Sequence, residues 1–169
     1  FNPSTEILIE YTIPSRNPYW ADCEGIDYCG VAQVFDFAVY EEKIWFTEWV
    51  ENNIGVIDTS IPLSFSTDVD KKEITLEKGQ ASQVILTVIK ADGSIGKSID
   101  VNVNGNLTTT FSDILLDTES SNFSLSDDIT SIPVEIIVSE HALSGTHKVL
   151  LGVYTDDIAV SQFITVTIV

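Results

Sequence analysis

Methionine is absent from the 169 residues, basic side chains number 8 against 26 acidic ones, and histidine and cysteine appear twice each. No apolar run approaches the ~20 residues that a membrane-spanning helix needs. Each shortage removes a class of function. A formal charge of −18 repels nucleic acid phosphates and anionic lipid headgroups, so neither is an expected partner. Two cysteines with no histidine nearby do not make a zinc site. No G-x-S-x-G elbow, no glycine-rich phosphate loop and no twelve-residue calcium loop occurs, which leaves nucleophilic catalysis and nucleotide chemistry without a carrier. No catalytic residue is assigned and none is expected; the chain reads as a non-enzyme.

What is present points to β-structure. Hydrophobic residues make up 44% of the chain, rich in Val and Ile, and strand-sized apolar runs recur between Gly, Asp and Asn turns. The acidity is global: residues 1–60 hold 11 acidic and 2 basic side chains, the remainder 15 and 6, so each part carries −9. Such a surface suits an extracellular protein in a salt- or cation-rich medium. The opening Phe1-Asn2-Pro3 is not an initiator methionine with a basic flank. The sequence is therefore read as a mature or partial chain, whose membrane attachment, if any, runs through a partner or an anchor outside it.

Cys23 and Cys29 lie six residues apart in the polar loop DCEGIDYCG. In an oxidising compartment they are expected to close a small disulfide loop, with free thiols as the alternative. Asn106-Leu-Thr108 and Asn122-Phe-Ser124 satisfy N-x-S/T without proline and are glycosylation acceptors if the chain is exported. His141 and His147 flank the Ser144-Gly145 turn, a spacing that suits surface and turn residues better than metal ligands. No cofactor is expected; for a structural calcium, Asp156-Asp157 is the best-placed of three acidic pairs, ahead of Asp68/Asp70 and Asp127/Asp128.

The most informative stretch is Lys43–Asp58, KIWFTEWVENNIGVID. It predicts two strands around an Asn52-Asn53 turn, because Asn tolerates the positive φ that tight hairpins need. Upstream, Gln33–Tyr40 alternates, with Val34, Asp36, Ala38 and Tyr40 on one face, and Glu41-Glu42 turns it into Lys43–Val50. With Ile7–Ile13 as an outer strand, these make a four-stranded meander. The phrase VYEEKIWFTE followed by N-I-G resembles one blade of the streptogramin-lyase-like β-propellers, with Glu41-Glu42 where that family has Asp-Gly and the Cys loop as an insertion. The resemblance covers residues 1–58. It implies a blade that cannot bury both faces alone. The family's acid–base histidines have no counterpart here, so the resemblance implies fold and not activity, and Glu48 of WFTE matches an acidic position also used structurally.

A boundary is expected at Thr59–Leu63, dividing residues 1–60 from 61–169. Of the eight Trp and Tyr residues only Tyr154 follows it. The second part predicts nine strand runs with turn signals every 8–12 residues, the pattern of an Ig-like β-sandwich. Ile158, Val160, Ile164, Val166 and Ile168 share one face of the last run, interrupted by Gln162. ITLEKGQASQVILTV and ALSGTHKVLLGVYTDD…FITVTIV resemble the opening and closing phrases of Ig-like modules appended to bacterial and archaeal surface proteins; in those, His147 would take a packing position. The expected protein is all-β: a blade-like meander followed by a sandwich, forming a non-enzymatic module of a microbial, archaeal-type cell envelope. An accessory subunit on the exterior of a membrane complex or surface layer is one form of it. Trp20, Trp45 and Trp49 are the expected interface residues, covered by missing blades or by other protein chains. The alternative is a fragment of a propeller lyase or lactonase without its catalytic blades.

Overall fold

The computed structural model describes residues 1–15, 34–48, 52–95, 97–105 and 113–169, with Asn104 and Gly105 described by backbone only. Thirteen strands are present among them: β1 (Ile7–Tyr11), β2 (Val34–Tyr40), β3 (Lys43–Glu48), β4 (Asn53–Asp58), β5 (Phe65–Val69), β6 (Glu73–Leu76), β7 (Ala81–Lys90), β8 (Ile99–Gly105), β9 (Ile114–Asp117), β10 (Asn122–Leu125), β11 (Ile129–Val138), β12 (Gly145–Tyr154) and β13 (Ile158–Ile168). The only helical turn described is a 3-10 turn at Asp92–Ser94. Among the described residues no helix is long and apolar enough to cross a membrane. The chain is all-β, as its composition predicts.

Two compact units divide it: Phe1–Tyr11 with Ser64–Val169, and Thr12–Leu63. The first is a sandwich of a sheet ordered β1-β13-β12-β8-β10, with β6 also on β13, and a sheet ordered β5-β7-β11-β9. Alternation builds its core. Val149, Leu151 and Val153 of β12 and Ile164, Val166 and Ile168 of β13 are buried, as are Val84, Leu86 and Val88 of β7 and Ile132, Val134 and Ile136 of β11. The inner faces of the two sheets supply these side chains at every second residue. The expected Pro133–Ser139 strand extends back to Ile129. Proline is tolerated there because β9 ends at Asp117 opposite Glu135, so Pro133 lies beyond that ladder on an unpaired flank.

Gln162 breaks the apolar pattern of β13 for a reason that lies in the other sheet. It is 2% exposed, and its Nε2 donates to the backbone oxygen of Thr67 in β5. The Thr67 hydroxyl in turn donates to Val160 O at 3.5 Å. The Nε2 bond across the sandwich offsets part of the cost of burying the amide, whose Oε1 has no hydrogen-bond partner among the described residues. Lys90, at the end of β7, is likewise buried; its ammonium donates to Lys97 O at 2.7 Å and Ser126 O at 2.9 Å, tying two loops to one strand end.

The first strand departs from expectation. Residues 7–13 were to be the outer strand of the meander, within a domain spanning 1–60. Instead β1 ends at Tyr11 and pairs antiparallel with β13, from Ile7 opposite Gln162 to Tyr11 opposite Ile158. The cause is the length of β13. β6 pairs parallel with only Thr165–Ile168, leaving the same edge open over Ile158–Gln162, and an apolar strand satisfies its backbone groups. The preceding turn is fastened too: Phe163 N–H donates to Glu6 O at 3.2 Å, Lys148 Nζ lies 2.7 Å from Glu6 Oε1, and Phe1 meets Phe163 edge-on at 5.6 Å.

Candidate interaction surface

The second unit, Thr12–Leu63, contains a sheet ordered β2-β3-β4. The first hairpin turns at Glu41-Glu42 as expected, with Tyr40 opposite Lys43. In the second, Glu48 pairs with Asn53, so Asn53 belongs to β4 instead of an Asn52-Asn53 turn, and of the connecting residues 49–52 only Asn52 is described. Glu41 has φ 53° and Asn52 φ 53°, so both turns use a non-glycine residue in the left-handed region; Asn does this readily, Glu less so. Thr59 fastens the open end, its N–H and hydroxyl both donating to Glu42 O at 2.8 Å.

Register sorts the side chains into two faces. Opposite pairs place Tyr40, Lys43 and Asp58 in one row, Ala38, Trp45 and Val56 in the next, and Asp36, Thr47 and Ile54 in the third. The other face carries Val39, Ile44 and Ile57, then Phe37, Phe46 and Gly55, then Glu48 and Asn53. A bulge between Val34 and Asp36 puts Val34 opposite Glu48. Simple alternation had grouped Val34 with Asp36, Ala38 and Tyr40; the extra residue of the bulge moves it to the opposite face.

On this second face Phe46 and Glu48 are buried. The Phe46 ring lies across Gly55, where an added Cβ would come within 2.1 Å of it. Glycine is therefore required opposite that ring. The Glu48 carboxylate accepts a hydrogen bond from the Ser15 hydroxyl through Oε2, fastening the segment that enters the unit. Glu48 here has a structural role.

The second face is open where β2 forms it, Phe37 being 66% and Val39 65% exposed; on the first face the exposure runs across all three strands. Trp45 is 44% exposed, Val56 48%, Tyr40 69% and Ile54 74%. Trp45 stands opposite the small Ala38, and a shallow cleft of about 170 Å³ lies beside it, with Asp36, Thr47 and Ile54 among its lining. A contiguous apolar face of this kind on a folded unit marks an interaction surface more often than a scattered exposed side chain does. Its charged residues are Asp36 and Asp58 against Lys43 alone. Lys43 lies 3.8 Å from Asp58. The Asp58 carboxyl is held below its ordinary value by hydrogen bonds from the Ser60 hydroxyl and backbone N–H, and then by Lys43. Unit Thr12–Leu63 holds nine acidic side chains and two basic ones, Arg16 and Lys43.

Of the expected interface residues, Trp45 is on this face; Trp20 and Trp49 lie outside the described residues, as do Cys23, Cys29 and Asn106. Tyr40, Ile54 and Val56 were not singled out from sequence, although counting by twos outward from each hairpin turn places them with Trp45. Asn122 is exposed on β10. His147 Nε2 lies 3.0 Å from Leu143 O, and His141 N–H donates to Ser139 Oγ at 3.2 Å, so each is engaged at its own turn. Asp70 accepts from Ile85 N–H at 2.7 Å. Among the described residues no group of three His, Cys, Asp or Glu side chains is arranged to hold a metal, Asp156-Asp157 included.

No protein-family model matches the chain. No curated protein matches it. Among solved structures it is similar to domains 4 and 5 of the S-layer protein SbsC, at 13% identity and a TM-score of 0.43, over 98% of this chain and 72% of that one. It is also similar to the sialic-acid-binding region of a Streptococcus sanguinis SK1 adhesin bound to 3'sLn, at 12% identity and a TM-score of 0.37. That second likeness covers 82% of this chain and 38% of the adhesin chain.

Proposed function

We propose that the chain is a non-enzymatic, extracellular interaction module of a microbial cell envelope, in which the Trp45 face of β2-β3-β4 is covered by a protein partner. The exposed side chains of Tyr40, Trp45, Val56 and Ile54, spread over three successive rows of one face, carry this reading. Aromatic anchors of this type dominate binding energy where they are buried by a partner. The partner is a second β-sheet surface: further blades of a longer propeller protein, in keeping with the WFTE resemblance, or a separate chain of a membrane complex or surface layer. Charge narrows the choice. Two copies of this face would each bring Asp36 and Asp58 against Lys43 alone, whereas a surface with an apolar centre and a Lys/Arg rim would complement it. A fragment of a propeller lyase or lactonase rests on the resemblance alone, and Glu48, the acidic residue in that phrase, is tied to Ser15.

Location is tested by protease shaving of intact cells of the organism that makes the protein. The expected result is release of its peptides before any cytoplasmic marker appears. Release only after lysis would contradict the envelope reading.

A further inference from the structure

The Asn122-Phe-Ser124 sequon falls on an edge strand whose geometry suits an attached sugar. In β10, Phe123 and Leu125 turn inward while Asn122 and Ser124 are exposed. Asparagine and hydroxyl thus stand two residues apart on one open face. Among the described residues β10 ends the sheet order, with only β8 beside it. Asn122 Nδ2 donates to Asn102 Oδ1 at 3.2 Å, and Ser124 Oγ lies 2.7 Å from Ser98 Oγ. Register continues the outward row from Asn122 through Asn102 to Tyr154 on β12. Tyr154 is thus two strand spacings away, about 10 Å. Alongside is an open cleft of about 530 Å³ whose lining includes Ser98, Asp100, Asn102, Asn122 and Asp156. It is polar and hydroxyl-rich, and it offers a saccharide both hydrogen-bond donors and acceptors.

We propose that Asn122 is an N-glycosylation acceptor and that its glycan lies over the outer face of β10 and β8. This rests on the reading of the chain as exported. In the transfer, the Asn122 amide nitrogen forms a bond to the anomeric carbon of a lipid-linked sugar phosphate. The anomeric carbon–oxygen bond breaks, the phosphate leaves with the electron pair, and one amide proton passes to a base of the transferring enzyme. No oxidation or reduction occurs. One N–H remains on Nδ2 and can keep the bond to Asn102. The consequence is protective: a bulky hydrated group beside a terminal strand hinders edge-to-edge pairing with another chain, the hazard that exposed strands carry.

The test is glycopeptide mass spectrometry on protein from the organism that makes it, after labelling intact cells with a membrane-impermeant reagent. The label reports location independently of sugar. The expected result is a sugar mass on the Asn122 peptide of the labelled pool, lost completely in Ser124→Ala and retained in Ser98→Ala, which removes the same hydroxyl contact but leaves the sequon intact. Asn122 bare in labelled protein overturns the glycosylation proposal and leaves the surface reading standing. Unlabelled, bare protein overturns both. Sugar persisting on Asn122 in Ser124→Ala overturns the sequon as its cause.

Discussion

At the residue scale, a few positions carry demands that only their neighbours explain. Gly55 has no room for a methyl group beneath the Phe46 ring. Gly55→Ala is therefore expected to destabilise the Thr12–Leu63 unit by about 1–3 kcal/mol, the usual range for overpacking. All three tryptophans lie in this unit, so the urea midpoint read by tryptophan fluorescence checks it directly; an unchanged midpoint would contradict the packing. Asp58 supplies a pH signature. Its pKa is lowered from 3.8 by Ser60 and Lys43. A lowered folded-state pKa means its contribution is complete above the unfolded value and is lost as pH falls through the folded one. Acid unfolding of this unit should accordingly begin at higher pH in Ser60→Ala than in the wild type, and coincident acid curves would refute the assignment. The Asn52 turn was legible in the sequence because one residue type and one conformation go together. Gln162 was not, since its partner, Thr67 O, is 95 residues away.

At the element scale, the strands with local signals were read nearly as they are. Asn122–Leu125 and Ile158–Ile168 have the expected limits, because turn residues bracket them and their apolar residues alternate. Pairing was less legible. ILIEY has the composition of a strand, but whether it joins the hairpin that follows or an edge formed by the far end of the chain is decided by which backbone groups lack partners. That decision moves β1 from the meander to the sandwich, and it is testable. Replacing Thr12–Leu63 by a flexible Gly/Ser linker of about eight residues, which reaches about 16 Å, should leave a cooperatively folding sandwich. Removing residues 1–63 altogether should lower its stability by about 2–4 kcal/mol, from the half-buried Ile7, Leu8, Ile9 and Tyr11. Equal urea midpoints by far-ultraviolet circular dichroism would return β1 to the meander.

At the scale of the whole molecule, a sandwich with a filled core and a small sheet with an open apolar face make different contributions. The sandwich buries alternating residues from both sheets, and its architecture followed from composition and turn spacing. The small sheet keeps Tyr40, Trp45, Val56 and Ile54 exposed, and the sequence marked only Trp45 among them, since exposure depends on what lies opposite a face and not on the strand itself. The partner is the central claim, and it is tested most directly by placing a photo-crosslinking amino acid at position 45, and separately at position 154 on the outer face of the sandwich, in the organism that makes the protein. The account predicts one discrete crosslinked species from position 45, absent from position 154, or, where the chain belongs to a longer propeller protein, an internal crosslink to a neighbouring blade. No crosslink from position 45, or the same diffuse products from both positions, would contradict it.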